Sequence, residues 1–145
     1  MPYERFTIRS PADVTTFVLL LVVGTALAQS ARSPEFVVDH VKDQLTSLLG
    51  LAESRFEFGS LLSHPPRLAA DGSVMAGHGR WDVEQSGLPE EVELRVSGNG
   101  HYYGRFLLKP RPGFSAPLQA CLVAVSLADQ AGRAFSADEA ARSTR

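Results

Sequence analysis

The chain is poor in the residues that build disulfides and metal centres. Cys121 is its single cysteine, which excludes an intramolecular disulfide and a metal site made of several cysteines. The four histidines lack the i, i+4 spacing of a helical metal pair, and zinc needs three or four convergent ligands. We therefore expect neither a metal nor a cofactor.

The chain also lacks a cluster of positive charge. The formal net charge is -2, and the lysines and arginines are scattered without a basic run, so nucleic acid is not an expected partner. With 145 residues, 44% of them hydrophobic and 21% charged, the chain has the composition of one globular domain.

Residues 14–31 contain no charge and surround an apolar block at 17–23. We predict a membrane-associated or spanning helix over 14–31, in contact with lipid, at an inner membrane with the domain facing the cytoplasm. The alternative is a secretory signal peptide cleaved after Ala28, because Arg5 and Arg9 precede the block and Ala26-Leu27-Ala28 resembles a cleavage site. A buried helix of a soluble protein is the third interpretation.

The region after the apolar block begins with a well-marked helix. Ser33 and Pro34 are typical of a helix start, and Gly50 of a helix end, so the sequence predicts a helix over 33–50. Residues 55–58 alternate as a strand does, and 60–79 are typical of a loop, with a short strand around Val74.

The second half of the chain predicts a strand, a hairpin and a helix. The strand covers 80–84, the hairpin covers 92–109 around a turn at 98–100, and the helix runs from Ser115 to Phe135. The inner stripe of that helix should consist of apolar and small residues three or four apart: Leu118, Cys121, Leu122, Val125, Ala128, Gly132 and Phe135. Residues 137–145 are expected to form a flexible tail.

These elements predict an α+β fold in two layers. Its antiparallel sheet should carry the N- and C-terminal helices packed on one face, with the apolar N-terminal helix in addition. The expected organisation is an N-terminal segment at 1–31, the domain at 32–136 and the tail at 137–145. The other sheet face would remain for a ligand, the middle loop or a partner.

Three stretches of this domain resemble a GAF-type domain. They are the helix end Leu48-Leu49-Gly50-Leu51 leading into Phe56-Glu57-Phe58, the strand pair 92–96 and 103–108, and Leu127-Ala-Asp-Gln-Ala131. Residues 6–13, which precede the apolar block, resemble the last membrane helix of the sensor module in Kdp-type, potassium-sensing histidine kinases. The resemblance implies a non-catalytic sensory or regulatory domain of two-component type. It also implies a homodimer formed through the two long helices, with a separate histidine kinase or response regulator as partner.

Few side chains are candidates for a site. Aromatic and imidazole groups near one sheet face, Phe58, His78, Trp81 and Tyr103, are the predicted ligand-binding residues. Cys121 lies on the inner helix stripe and is expected in the core. No nucleophile has a recognisable base or orienting partner in the sequence, so we expect no enzymatic activity.

Overall fold

The computed structural model describes residues 33–77, 79–112 and 114–143. Its elements in chain order are α1 (Pro34–Leu49), β1 (Leu51–Phe58), β2 (Arg67–Leu68), β3 (Val74–Ala76), β4 (Gly79–Trp81), α2 (Val83–Ser86), β5 (Val92–Gly98), β6 (His101–Pro110) and α3 (Leu118–Ser143). The predicted membrane helix at 14–31 and the cleavage site after Ala28 lie outside the described residues. Within the described part, no helix combines the length and apolarity needed to cross a membrane.

The strands form one six-stranded sheet in the order β1-β6-β5-β2-β3-β4. Neighbouring strands are antiparallel except β2 and β5, which are parallel and share the single residue pair Arg67 and Glu93. A hydrogen bond of 2.8 Å from the Glu93 N–H to the Pro66 carbonyl supports this junction. The α+β class is confirmed, whereas the expectation of a fully antiparallel sheet is wrong. After β1, which lies at one edge of the sheet, the chain crosses the positions of β6 and β5 and forms β2 on the far side of β5, running parallel to it.

Helix α1 begins and ends where the sequence predicts. The Ser33 side chain accepts a hydrogen bond of 3.2 Å from the Phe36 N–H, which satisfies a free donor of the first turn. Gly50 ends the helix in the left-handed conformation, with φ 59°. The buried side of the helix is apolar: Pro34, Val37, Val38, Val41, Leu45, Leu48 and Leu49.

Both long helices pack against each other and against one face of the sheet. On β5 and β6 the alternate residues Leu94, Val96, Phe106 and Leu108 join the helices in the core. Gly132 allows α3 to lie directly against β5, because a Cβ at this position would overlap the Ser97 carbonyl. The predicted two-layer arrangement is therefore present.

The segment after Trp81 differs from its prediction. Residues 80–84 were expected to form one strand, but β4 ends at Trp81 and the short helix α2 follows. The Asp82 side chain accepts a hydrogen bond of 3.1 Å from the Gln85 N–H and so caps α2. A local capping interaction thus prevails over the strand pattern.

Helix α3 also departs from its prediction. It begins at Leu118 rather than Ser115, after hydrogen bonds from the Ala120 and Cys121 N–H groups to the Pro117 carbonyl, and it continues through Ser143 instead of ending at Phe135. Leu118 and Leu122 were placed on the inner stripe, but both are exposed. Cys121, Ala128, Gly132 and Phe135 of the predicted stripe are buried, and the buried side also contains residues outside the stripe: Ala120, Val123, Ala124, Leu127, Gln130 and Ala131. Alanine contributes little to an apolar pattern, which is why the pattern missed Ala120, Ala124 and Ala131.

Candidate functional site

The predicted ligand-binding residues lie in two separate places. Phe58 and Tyr103 lie together in a groove beside the C-terminal half of α3, whereas Trp81 lines a cleft at the start of α3. His78 lies outside the described residues. The structure therefore brings two of the four residues together and separates the third.

The larger depression, here called the Trp81 cleft, lies between the start of α3 and the segment formed by β3, β4 and α2. Its volume is about 720 Å³. Apolar and polar side chains line it together: Gly72, Ser73, Val74, Arg80, Trp81, Asp82, Val83, Glu84, Ser115, Ala116, Pro117, Leu118, Gln119 and Cys121. Small-molecule sites typically have volumes of roughly 300–1,000 Å³ and an apolar lining with a few polar groups.

Trp81 is held in place by the short helix that follows it. Its indole Nε1 donates a hydrogen bond of 2.9 Å to the Gly87 carbonyl, and Gly87 ends α2 with φ 68°. Because Asp82 caps the other end of α2, the indole is fixed by local structure on both sides. A half-buried indole that already has a hydrogen-bond partner presents its remaining surface to the cleft.

The opposite wall comes from the segment that leads into α3. Ala116 and Cys121 are buried there, while Leu118 is exposed at the rim. The prediction that Cys121 belongs to the core is confirmed, since its side chain is 2% exposed. Burial raises the pKa of the Cys121 thiol to about 11, so it remains protonated at neutral pH and is a poor nucleophile.

The turn between β2 and β3 forms the third side of the cleft. The Asp71 carboxylate accepts a hydrogen bond of 3.0 Å from the Ser73 N–H and another from the Ser73 hydroxyl. Hydrogen bonds from Ser73, that of its hydroxyl above all, hold the pKa of Asp71 below its usual value. The carboxylate also lies 3.8 Å from the Arg80 guanidinium, which brings a positive charge to the rim.

The smaller depression, here called the aromatic groove, has a volume of about 290 Å³. The Tyr103 and Phe135 rings stack with centroids 5.0 Å apart, and the Phe58 ring meets Phe135 edge-on at 5.6 Å. Tyr103 is buried, and its hydroxyl lies 3.2 Å from the Ser136 hydroxyl. Phe58 is 71% exposed, so its ring forms an open wall. Polar and charged residues complete the lining: Glu35, His101, Tyr102, Asp138, Glu139 and Arg142.

Sequence reasoning missed a buried charge network on the sheet face away from the helices. Arg105 of β6 is 1% exposed and Glu93 of β5 is 2% exposed, and the two form a salt bridge. Arg105 also donates to Glu57 of β1 at 2.8 and 3.0 Å and to the Ser63 carbonyl at 2.7 Å. Arg95 adds a bond of 2.8 Å to Glu93.

The network fixes both charge and backbone on this face. Burial lowers the pKa of Arg105, but the hydrogen bonds that it donates to Glu93 and Glu57 outweigh burial and raise that pKa above its ordinary value. The hydrogen bonds that Arg105 donates are the main reason why the pKa of Glu57 lies below its ordinary value. The positive charge of Arg105 and the contact with Arg55 lower this pKa further, whereas burial opposes them. Because Arg105 also holds Ser63, the network ties the segment between β1 and β2 to the sheet. The signal in the sequence was the alternation of opposite charges along β1 and β5 on the face opposite the core, with Arg105 on β6 between them.

The described residues contain no group of three or more His, Cys, Asp or Glu side chains positioned to hold a metal ion. They contain a cleft with an apolar floor and a polar rim, and an aromatic groove. No family model, curated protein or solved structure matches the chain.

Proposed function

We propose that this domain is a non-catalytic sensory or regulatory module that binds a small molecule in the Trp81 cleft. The observation that carries the proposal is the convergence of an apolar floor, a polar rim and an oriented indole in a cleft of about 720 Å³. Val74, Ala116 and Cys121 form buried parts of the lining, and Ser73, Arg80 and Gln119 provide polar groups around them. This chemistry suits a flat, mostly apolar ligand with a few hydrogen-bonding groups.

Helix α3 supplies a route from such a ligand to the rest of the chain. Its first turn lines the cleft, and the helix packs against α1. Helix α1 begins at Pro34, directly after the segment predicted to contact a membrane. A ligand that favours one position of α3 would shift the equilibrium between two arrangements of the helix pair. The GAF-like identity, the membrane tether and a kinase or response-regulator partner belong to the same proposal, and an exported binding domain is its alternative.

The chain carries its own reporter for this test. Trp81 is the sole tryptophan, and it lines the cleft. The full-length protein is titrated with a panel of small heteroaromatic compounds while indole fluorescence and the heat of binding are recorded. A ligand in the cleft should change the fluorescence and produce a heat of binding over the same concentration range.

Two variants on α3 separate binding in the cleft from binding elsewhere. Gln119→Phe fills the cleft from an exposed lining position, and we expect it to weaken ligand affinity at least tenfold. Ser126→Phe adds the same ring at an exposed position outside the cleft and should leave affinity unchanged. Absence of any response across the panel would refute the proposal. Equal affinity in the two variants would move the site away from the cleft.

A further inference from the structure

Strand β1 forms one edge of the sheet and is long for an edge strand. Within the described residues it pairs with β6 alone, while the opposite edge, β4, has three residues. The ladder between β1 and β6 shifts between Leu51 and Glu53 and is regular from there to Phe58. Residues 53–58 are here called the β1 edge. An edge strand presents a row of unpaired N–H and C=O groups to any strand that approaches it.

The direction of these groups follows from one hydrogen bond. The Gly59 N–H donates to the Tyr103 carbonyl of β6 at 2.9 Å. N–H groups point alternately to the two sides of a strand, so those of Glu57 and Arg55 also face β6. The N–H and C=O groups of Ser54, Phe56 and Phe58 therefore point outward, away from the sheet.

We propose that two copies of this chain join through antiparallel pairing of their β1 edges. The two-fold axis passes beside Phe56, so that Phe56 of one copy forms a hydrogen-bonded pair with Phe56 of the other. Ser54 then pairs with Phe58 of the second copy, and every outward-pointing group from 54 to 58 gains a partner. The two sheets become one continuous sheet.

Charge selects this register over its neighbours. With the axis beside Phe56, Arg55 lies opposite Glu57 of the second copy, and symmetry repeats the pair. With the axis beside Arg55, the two arginines would face each other and Glu53 would face Glu57, and like charges directly opposite are destabilising. An axis beside Ser54 would require regular pairing at residue 52, where the ladder with β6 is irregular.

The edge is accessible, and its Arg55 side chain can rearrange at small cost. The Arg55 side chain is 47% exposed, and its contacts with Glu57 at 3.4 Å and Glu91 at 3.8 Å are surface ion pairs. Alternation of sign along β1 makes the edge complementary to itself, which favours a second copy over an unrelated strand. Helix α1 packs against β1, so dimerisation would bring the two α1 helices towards each other.

The test is sedimentation equilibrium of the full-length protein over a range of concentrations, with the same mild detergent in every sample. We expect a reversible dimer. Arg55→Glu turns both attractive pairs into Glu–Glu pairs and should raise the dimer dissociation constant at least about tenfold. The matched control is Glu53→Arg, which reverses a charge on the same strand. Glu53 lies opposite Gly59 of the second copy, so this change should leave the constant unaltered.

Backbone and register are tested separately. Ser54→Pro removes an outward N–H without removing a bond to β6, and should give a folded monomer, whereas Ser54→Ala should remain a dimer. Chains with Ser54→Cys mixed with chains with Phe58→Cys should be joined by a short thiol cross-linker, and chains with Ser54→Cys alone should not. A monomer at all concentrations overturns the proposal. So does a dimer that tolerates both Arg55→Glu and Ser54→Pro, since it must use another surface.

Discussion

Removal of the Arg105 side chain tests whether the buried network stabilises the fold. Arg105→Ala deletes five hydrogen bonds, to Glu57, Glu93 and Ser63, and leaves the Glu93 carboxylate buried. Truncating one partner of a buried ion pair costs roughly 3–5 kcal/mol. Glu93 keeps its bond to Arg95, so we expect the lower end, about 3 kcal/mol in the free energy of unfolding.

The assays are urea denaturation and thermal denaturation of the full-length protein, each followed by Trp81 fluorescence and circular dichroism. A loss of this size should lower the melting temperature by about 10 °C in a domain of this length. Arg95→Ala is the matched control: it removes a partly exposed partner of the same carboxylate and should cost about 1 kcal/mol or less. Equal losses in the two variants, or a loss below about 1 kcal/mol for Arg105→Ala, would refute the reasoning.

A paired replacement shows where the loss originates. Arg105→Met combined with Glu93→Leu removes both buried charges and fills their volume with apolar atoms. Such replacements are often neutral or stabilising, so the double variant should recover most of the stability that Arg105→Ala loses. If the double variant is as unstable as Arg105→Ala, the loss in the free energy of unfolding arises from the missing contacts with Ser63 and Glu57 rather than from the unpaired, buried Glu93 carboxylate.

Two further predictions concern acid stability and the contact between α3 and β5. The pKa of Glu57 lies lower in the folded protein than its ordinary value of 4.5, so the unfolded chain binds more protons in acid. Its contribution to stability is present above that value and is lost as pH falls through the folded pKa, so Glu57→Gln should flatten the decline of melting temperature below about pH 4.5. Gly132→Ala should lower stability by about 1–2 kcal/mol although alanine favours helices, because its Cβ would overlap the Ser97 carbonyl. Gly77→Ala, where a Cβ meets nothing within 4 Å, should change the melting temperature little, and similar values for both glycine variants would contradict the predicted contact.

The parts of the fold that local chemistry determines were predictable from the sequence. The caps of α1 depend on Ser33 and Gly50, and the turn between β5 and β6 depends on the glycines that flank Asn99. These caps and this turn are specified by neighbouring residues, and the structure has them at the positions that the sequence pattern predicts. Helix α3 was partly predictable. The pattern placed Ala128 and Gly132 correctly on its buried side, but it also placed Leu118 and Leu122 there, because the rotation of the helix is set by small residues that fit against β5.

The candidate site was less predictable because tertiary contacts create it. Strands β2, β3 and β4 contain two or three residues each, too few to show a period. Their position depends on the parallel junction with β5, which no local pattern specifies. Trp81 and Cys121 are forty residues apart in the chain and meet only through that placement. The sequence could therefore suggest Trp81 as a ligand residue, but it grouped Trp81 with Phe58 and Tyr103, which line a different depression at the other end of α3.

We expect the single residue pair between β2 and β5 to divide the sheet into two cooperative units. Strands β1, β6 and β5 are joined by long antiparallel ladders, whereas the backbone of β2, β3 and β4 joins the rest of the sheet only through the pair of Arg67 with Glu93 and the bond to Pro66, within the described residues. Amide hydrogen exchange should accordingly occur by partial opening in the smaller unit and by global unfolding in the larger one. The boundary between the two units runs through the Trp81 cleft, since β3, β4 and α2 line one side and α3 lines the other. Any molecule that bridges the cleft would join these units and make the whole sheet unfold as one.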